Sequence, residues 1–529
     1  MNVLLYDTTL RDGCQGEGVQ FSVEDKLRIV NKLDQLGIAY IEGGWPGANP
    51  RDIEFFARAK SLQLTHSRLT AFGSTCRPGG SAENDPVLYQ LLEAGTPVVT
   101  IFGKTWSLHV THVLQTSLEE NLRMIRESIA HLKSKGREVI YDAEHFFDGY
   151  KSNPDYALDT LKAALEGGAD WLVLCDTNGG TMPLELAEIV NSVKASIPTP
   201  LGIHAHNDCG LAVANSLLAV QSGVAHVQGT FNGYGERCGN ADLVTIIPNL
   251  QLKLGMKIIP DLSQLNSTAR FISELANVIH NEHQPYVGKS AFAHKAGMHV
   301  DGVIKISKSF EHINPALVGN NRRILVSDQA GRGNILAKIK RYCPNIDKNS
   351  PVVTNLLTKL KQLEFQGYQF EAAEGSLELL IKKQLGLYQP SFELEDFRFL
   401  IAKDGQNNMA SEAIVKIRVN NQTVHVVSNG AGPVNAVDKA LRKALEPFFP
   451  ILSEMELADY KVRVIDGTTG TGALVKVLIE TRYHGDIWGT VGVSENIIEA
   501  SILALAESLE YGLMRFAGGC SGAAEAGGS

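Results

Sequence analysis

Short apolar runs alternate with longer amphipathic stretches over the first 260 residues of the chain. The longer stretches place apolar residues three and four positions apart, the spacing of one helix face, as in Val23 to Leu36 and Leu118 to Ser134. The short runs are bounded by polar or Gly-containing segments, which is typical of buried strands. Eight strands are predicted: Val3 to Tyr6, Tyr40 to Gly43, Arg68 to Phe72, Val98 to Phe102, Glu138 to Ala143, Trp171 to Cys175, Leu201 to His206 and Ala225 to Thr230.

The number and order of these units indicate the fold class. Eight strand–helix units in about 250 residues is the size of a TIM barrel. We therefore predict an α/β protein whose residues 1–260 form a (β/α)8 barrel. A doubly wound open sheet is the alternative, but no Gly-x-Gly-x-x-Gly sequence follows the first strand.

The pattern changes twice after the barrel. Residues 261–390 are mostly helical and polar, with Pro and Gly between the helical stretches, and we expect a helical linker subdomain. Residues 391–516 are β-rich and contain an internal repeat of two β-β-α units, which predicts a small α+β domain. Residues 517–529 are rich in Gly, Ala and Ser and are predicted to be a disordered tail.

Charge and cysteine content indicate which partners and which cellular compartment to expect. The chain carries 58 Asp plus Glu against 49 Lys plus Arg and has no basic block, so nucleic acid is not an expected partner. We also expect neither a signal peptide nor a membrane span. Its seven cysteines are an odd, scattered set without close pairs, which favours a reducing cytoplasm over a disulfide framework.

Polar side chains stand at the ends of three predicted strands. Asp12 follows the first strand, His204 and His206 close the seventh, and Asn240 follows the eighth. A carboxylate, two imidazoles on one strand face and an amide oxygen can hold a divalent metal and leave room for substrate. Alone, the His-x-His pair would more often be structural and Asp12 a helix cap, but barrels of this kind carry their chemistry at this end. Arg11 beside such a metal suits a substrate with a carboxylate or an enolate.

These segments, in this order, resemble a family of metal-dependent acyl-CoA condensing barrels, the isopropylmalate, homocitrate and citramalate synthases. The resemblance covers nearly the whole chain. Two further segments, Gly16 to Ser22 and Ile41 to Gly47, are most similar to the longer citramalate-forming members. The motifs that carry the family resemblance are Asp7 to Gly13, Glu42, His204 to Asp208, Gly233 to Asn240 and His294 to Gly302.

The resemblance implies condensation of acetyl-CoA with pyruvate to give citramalate and CoA, on a route to isoleucine. A 2-oxoacid can chelate one divalent ion, with Mg²⁺, Mn²⁺ and Zn²⁺ as the candidates, and the ion would polarise its ketone. Asp12, His204 and His206 would hold the ion, with Asn240 as a fourth, weaker ligand. Arg11 would stabilise the negative charge that grows on the ketone oxygen.

Other site residues follow from the same resemblance. Glu144 is expected to hold Arg11 by an ion pair, and catalytic base is its alternative role. Thr177 matches a hydroxyl that contacts the substrate carboxylate, although it also suits a turn. His299 matches the histidine that removes a proton from the acetyl methyl group through water, reaching the site from the subdomain of the same or a neighbouring chain. Glu42 belongs to the substrate-binding set.

Three side chains bear on specificity and on departures from the family. Trp45 could limit the 2-oxoacid side chain to a methyl group, with core packing as the alternative. Phe310 stands where related synthases commonly carry Tyr, so any role of that phenol is absent or filled by another residue. Cys238 is interpreted as a small packing residue rather than as the mobile-loop cysteine of related lyases.

The C-terminal repeat resembles the regulatory domain of the family, which binds the end-product amino acid. We expect isoleucine as the effector and a homodimer as the assembly. Two Gly-rich segments could bind the ammonium and carboxylate of an amino acid at a dimer interface, or could be plain strand-to-helix turns. The expected regulatory residues are Gly430, Gly432, Gly467, Thr468, Thr469 and Gly470.

Other functions remain open at this point. Within the family, 2-isopropylmalate and homocitrate synthase are the alternatives. A metal-dependent carbon–carbon lyase is a different class, and the C-terminal repeat argues against it because lyases of this superfamily generally lack that domain. A non-catalytic sensor would keep the repeat but would not need a complete metal-ligand set.

Overall fold

The chain forms two compact units in the computed structural model, which describes residues 3–327, 329–403, 409–465 and 470–517. One unit comprises Met1–Phe292 with Ile313–Arg322, and the other comprises Ala293–His312 with Arg323–Ser529. Among the helices of the described residues, none has both the length and the apolar character that a membrane crossing requires.

A closed barrel of eight parallel strands forms the first unit, as predicted. The strands pair in sequence order, and the first strand also pairs with the eighth, with Leu4 opposite His226. This closure rules out the open-sheet alternative. The strands are β1 (Leu4–Asp7), β2 (Tyr40–Gly44), β3 (Arg68–Ser74), β4 (Val98–Lys104), β5 (Glu138–Glu144), β6 (Trp171–Asp176), β7 (Leu201–Ala205) and β8 (His226–Gly229).

Helices surround the barrel and begin and end where the sequence supplies caps. Ser22 and Asp25 form a capping box at the start of the first helix, and Gly37 ends it with a φ of 93°. The helices of this unit are α1 (Val23–Leu36), α2 (Pro50–Ala59), α3 (Pro86–Glu93), α4 (Ser107–His112), α5 (Leu118–Ser134), α6 (Phe146–Ser152), α7 (Pro154–Gly167), α8 (Pro183–Ser196), α9 (Ala212–Gln221), α10 (Leu243–Pro248) and α11 (Leu265–Leu275).

The second unit contains the linker helices and the C-terminal repeat. A two-stranded sheet, β9 (Ala293–His294) with β10 (Arg323–Ile324), precedes most of its helices. Each repeat is a three-stranded antiparallel sheet followed by one helix. The remaining elements are α12 (Gly297–Lys305), α13 (Arg332–Ile339), α14 (Pro351–Phe365), α15 (Glu374–Gln384), β11 (Glu393–Lys403), β12 (Met409–Val419), β13 (Gln422–Gly430), α16 (Pro433–Leu445), β14 (Glu456–Val464), β15 (Val475–Tyr483), β16 (Asp486–Ser494) and α17 (Ile497–Phe516).

Each repeat therefore has one strand more than its sequence pattern predicted. The leading strands β11 and β14 are mostly exposed and lack the strict alternation of buried and exposed residues seen in β12 and β15. Alternation arises only where one face of a strand is buried, so a mostly exposed strand gives little periodic signal. Of the predicted disordered tail, only Ala517 lies within the described residues.

The linker helices and the repeat share one apolar core. Ile335 of α13, Leu356 of α14 and Leu377 of α15 are buried in the same cluster as Val491 of β16. Removal of the C-terminal repeat would expose the apolar face of α15, so a truncation before β11 is not a clean test of regulation.

A histidine lies buried among aromatic rings inside the barrel. The ring of His226 is within 5.5 Å, between centroids, of the rings of Tyr6, Tyr40 and Trp171. Neither ring nitrogen has a hydrogen-bond partner among the described residues. Burial lowers the pKa of His226 from 6.5 to about 3. The folded barrel therefore holds a neutral imidazole at a pH where an unfolded chain would bind a proton.

We predict that His226→Leu protects the protein against acid. Between about pH 6.5 and pH 3 the unfolded wild-type chain binds a proton at His226 that the folded chain excludes, so wild-type stability falls with pH. The variant should lack this loss, about 1.4 kcal/mol per pH unit in that window. Urea unfolding midpoints measured from pH 8 to pH 4 test this. The exposed His283→Leu is the matched control, and equal acid slopes for His226→Leu and wild type would contradict the prediction.

Candidate metal centre and active site

Three predicted ligands converge at the carboxyl end of the barrel. Asp12 follows β1, His204 lies on β7 and His206 directly follows it. The Asp12 Oδ2 atom is 3.3 Å from His204 Nε2 and 3.9 Å from His206 Nε2. The two Nε2 atoms are 3.2 Å apart. All three residues are buried, and these donor atoms can meet at one ion.

The surroundings of Asn240 fit a metal at this place. Its Oδ1 atom is buried and accepts no hydrogen bond within the described residues, while its amide nitrogen donates to the carbonyl of Tyr234 over 3.2 Å. A β-bridge to His206 holds it beside the three ligands. A buried acceptor without a donor costs about 1–3 kcal/mol, and coordination of a cation would remove that cost. Asn240 is therefore suited to be a fourth ligand.

The protonation states of Asp12 and His206 also suit a cation. Burial raises the pKa of Asp12, but Arg11 and the two histidines outweigh it and hold that pKa well below its usual range. Burial, followed by the nearby His204, lowers the pKa of His206 to about 3. The site therefore presents an ionised carboxylate and a neutral imidazole, which are the ligand forms of these side chains.

Two further buried side chains orient His204, and the sequence analysis did not find them. The His204 Nδ1 atom lies 2.9 Å from Gln228 Oε1, and Gln228 Nε2 donates to Asp142 Oδ1 over 2.9 Å. Burial raises the pKa of Asp142 to about 7. The available signal was a polar residue in the interior of a strand, Gln228 in β8 and Asp142 in β5.

Glu42 fixes Arg11 in place. Arg11 Nε donates to Glu42 Oε1 over 2.5 Å, and Arg11 Nη1 is 3.6 Å from Asp12 Oδ2. The other carboxylate oxygen of the fully buried Glu42 accepts from the hydroxyl of Tyr6 over 2.5 Å. The guanidinium carbon of Arg11 lies 3.7 Å from the centre of the Phe72 ring. Arg11 is thus held on two sides next to the metal-ligand cluster.

The predicted ion pair between Glu144 and Arg11 is wrong. Glu144 pairs with Lys104, which is its register partner on the adjacent strand β4. Strand β2, which carries Glu42, is the direct neighbour of β1, whereas β5 is separated from β1 around the barrel. The carboxylate of the adjacent strand therefore reaches Arg11.

Trp45 lies in an aromatic cluster near Arg11. Its ring contacts Phe72 and Phe102 edge-on, with 5.8 Å between centroids in both pairs. Arg11 and Trp45 both line a cleft of about 420 Å³ at this end of the barrel. The indole is therefore in the neighbourhood of the predicted substrate, and packing remains its other role.

A buried ion pair, also missed in the sequence, anchors the loop of Trp45. Lys26 Nζ donates to Asp52 Oδ1 over 2.6 Å and to the carbonyl of Gly43 over 3.0 Å. Asp52 Oδ2 accepts from the backbone N–H of Trp45 over 3.0 Å. Both charged side chains are less than one tenth exposed. The β2–α2 loop is fixed at both of its ends by this pair.

The surroundings of Thr177 and Cys238 are also defined. The hydroxyl of Thr177 accepts from the backbone N–H of His145 over 2.9 Å, and its carbonyl accepts from Arg237 Nη2 over 2.7 Å. This hydroxyl is compatible with both a turn and a substrate contact. Cys238 is an exposed free thiol, so the structure of this chain does not support its interpretation as a packing residue.

The remaining predicted residues belong to the second unit. His299 lies on α12, where its ring stacks on Phe310 with 4.5 Å between centroids. Gly430 ends β13, Gly432 caps α16, and Gly470 begins a short 3-10 turn. The predicted regulatory residues Gly467, Thr468 and Thr469 lie outside the described residues.

Three family models match successive parts of the chain. Residues 2–272, half of the chain, match the model described as HMGL-like. Residues 286–367 match a model described as homocitrate synthase post-HMGL domain-like. Residues 371–513 match the LeuA allosteric (dimerisation) domain.

Relatives are similar over nearly the full length of the chain. An (R)-citramalate synthase of Aquifex aeolicus is 56% identical, with 97% of this chain and 98% of that protein covered. An (R)-citramalate synthase of Synechocystis sp. is 53% identical over 96% of each chain. A 2-isopropylmalate synthase of Methanocaldococcus jannaschii is 30% identical over 96% of this chain and 94% of that protein. The chain therefore belongs to the HMGL-like family, in the group that contains the (R)-citramalate and 2-isopropylmalate synthases.

Proposed function

We propose that the chain condenses acetyl-CoA with pyruvate and water to give (R)-citramalate and CoA. The observation that carries this proposal is the pairing of Arg11 and Glu42 next to the converging Asp12, His204 and His206 side chains. Five relatives that are between 45% and 56% identical are named (R)-citramalate synthase. The function is therefore that of an acetyl-CoA-condensing acyltransferase.

Different residues of the site would bind the metal and stabilise the charge that develops during the condensation. A divalent ion, with Mg²⁺, Mn²⁺ and Zn²⁺ as the candidates, would be held by Asp12, His204, His206 and Asn240 and would supply Lewis-acid polarisation of the ketone. Arg11 donates hydrogen bonds to the oxygen on which negative charge grows. Because Arg11 is held by a buried carboxylate, its donors are aligned before the reaction begins, and no reorganisation is needed at that step.

Proton transfer and carboxylate binding are assigned to residues around this centre. We assign removal of the acetyl methyl proton to His299, acting through water. The role proposed for Glu144 is to align Lys104, with which it pairs. Catalytic base is its alternative role. Thr177 would donate its hydroxyl hydrogen to the pyruvate carboxylate, because its oxygen already accepts from the His145 backbone. Trp45 would bound the space for the 2-oxoacid side chain.

Assembly, compartment and regulation form part of the same proposal. The match of residues 371–513 to a dimerisation domain supports a homodimer. The six cysteines of the described residues are all free thiols, which supports the cytoplasm. Isoleucine is the proposed effector, with Gly430, Gly432 and Gly470 in its binding region.

Effector binding can be tested without loss of the domain. A Cβ atom at Gly432 would meet no atom within 4 Å, so Gly432→Val should fold but intrude on a ligand bound there. Isoleucine should raise the Tm of the wild-type protein more than leucine does, and the variant should lose that shift. A shift with leucine alone would instead favour a leucine-route enzyme.

The substrate prediction is tested by thiol release from acetyl-CoA with pyruvate, 2-oxoisovalerate and 2-oxoglutarate in parallel. Pyruvate should give the highest kcat/KM, and a chelator should abolish the reaction until Mg²⁺ or Mn²⁺ is restored. Trp45→Val should raise kcat/KM for 2-oxoisovalerate relative to pyruvate, because one bulky wall is removed; changes of about 10-fold or more are typical of such pockets.

Each outcome of this assay has a distinct meaning. A wild-type preference for 2-oxoisovalerate would replace the proposal with 2-isopropylmalate synthase. Activity that persists in excess chelator would contradict the metal assignment. An unchanged ranking of the three acids in folded, active Trp45→Val would leave the indole as a packing residue.

The Arg11–Glu42 pair should behave as one unit. Arg11→Ala should lower kcat by at least about 100-fold, the scale for loss of an oxyanion donor. Arg11→Ala with Glu42→Gln should cost little more, since residues that act together are not additive. Glu144→Gln is the matched control, because Glu144 pairs with Lys104 and its loss should multiply with that of Arg11. Multiplying losses for Arg11 and Glu42 in steady-state kinetics would refute the coupling.

A further inference from the structure

A line of buried hydrogen bonds runs from His204 into the barrel interior. His204 Nδ1 lies 2.9 Å from Gln228 Oε1, and Gln228 Nε2 lies 2.9 Å from Asp142 Oδ1. The three residues come from β7, β8 and β5, and each is at most 5% exposed. Their bonds are thus shielded from water, and each donor must face an acceptor.

The amide of Gln228 gives this line a direction. An amide has a donor end and an acceptor end. An ionised Asp142 carboxylate can only accept, and Gln228 Nε2 donates to its Oδ1 atom, so the NH₂ end of Gln228 points to Asp142. Its carbonyl then faces His204 and can accept only from a protonated Nδ1.

This direction determines what His204 offers at its other nitrogen. With the proton on Nδ1, a neutral imidazole carries a lone pair on Nε2. That Nε2 atom is the one that lies 3.3 Å from Asp12 Oδ2 and 3.2 Å from His206 Nε2. His206 has no such support, because its Nδ1 atom is buried without a partner among the described residues. His204 is therefore the ligand whose tautomer is set in advance.

We propose that Gln228 and Asp142 are positioning residues that fix the ring and the tautomer of His204 for metal binding. Asp142 acts without touching His204, solely by orienting the amide of Gln228. The consequence for catalysis rests on the metal-dependent function proposed above, but metal affinity is measurable without turnover. Partners of this kind change metal affinity by about 10- to 100-fold when they are removed.

A simple field effect of Asp142 is the competing explanation. A buried negative charge would also favour a nearby cation. The two explanations differ for Gln228→Leu, which keeps the charge of Asp142 but breaks the line of hydrogen bonds, so a field effect alone predicts an unchanged metal affinity. Asp142→Asn combined with Gln228→Glu tests the direction of the line. This double variant keeps one carboxylate in the line and restores its direction, because the new glutamate accepts from both the asparagine amide and His204 Nδ1. Asp142→Asn alone allows the Gln228 amide to turn its NH₂ end towards His204, which forces the wrong tautomer.

The test measures the Kd of Mn²⁺ for the full-length, chelator-treated protein by titration calorimetry. Gln228→Leu and Asp142→Asn should each raise the Mn²⁺ Kd by about 10-fold or more. The double variant Asp142→Asn, Gln228→Glu should recover to within about 3-fold of wild type, which restored hydrogen bonding predicts. Thr100→Val is the matched control, because Thr100 is buried in the same barrel and contacts Tyr6 rather than this line; its Kd should not change.

The outcomes separate this inference from the proposed function. Wild-type affinity in folded Asp142→Asn and Gln228→Leu would overturn it. A double variant as weak as Asp142→Asn would also overturn it, because direction would then not matter. Asp142→Asn is nearly isosteric and should keep its circular dichroism and Tm, so a weaker Kd cannot be ascribed to unfolding. A wild-type protein that binds no Mn²⁺ would instead contradict the proposed function.

Discussion

The pairing of β1 with both β2 and β8 is the constraint on which the site depends. Asp12 follows β1, Glu42 lies on β2 and Gln228 lies on β8. These residues are far apart along the chain, and only closure of the sheet brings them around one point. His204, Glu42 and Gln228 are therefore held by rigid strands, and Asp12 and His206 lie on the segments that follow β1 and β7.

Burial then makes every charge in this region depend on a neighbour. Arg11 is flanked by Glu42 and Asp12, and Lys26 is paired with Asp52 beneath the loop of Trp45. Removing one member of such a pair leaves an uncompensated buried charge, which is more costly than losing the pair as a whole. The same burial strengthens the interaction of these groups with an anionic substrate, because little water screens them. Stability and chemistry are therefore coupled at the carboxyl end of the barrel.

Much of the barrel could be predicted because strands buried on both faces leave continuous apolar runs, and all eight were found. The convergence of Asp12, His204 and His206 was foreseeable from their places at strand ends. The partner of Arg11 was not, because two carboxylates, Glu42 and Glu144, stand on different strands and only the order of strands around the barrel decides between them.

Two further limits of the sequence have physical causes. Gln228 and Asp142 each lie within a buried strand, where one polar residue does not disturb the strand pattern and its partner on another strand is unknown. The leading strands β11 and β14 are mostly exposed and so carry no strong alternation. In both cases the information lies in contacts between distant segments rather than in local periodicity.

The central claim is that Asp12, His204 and His206 bind an ion and leave coordination positions open for the 2-oxoacid. Electron paramagnetic resonance of Mn²⁺ bound to the full-length protein, with pyruvate carrying ¹⁷O at the ketone, tests this most directly. The account predicts broadened Mn²⁺ lines with labelled relative to unlabelled pyruvate, and no bound Mn²⁺ in His206→Ala. Unbroadened lines from a protein saturated with pyruvate, or full Mn²⁺ binding by His206→Ala, would contradict it.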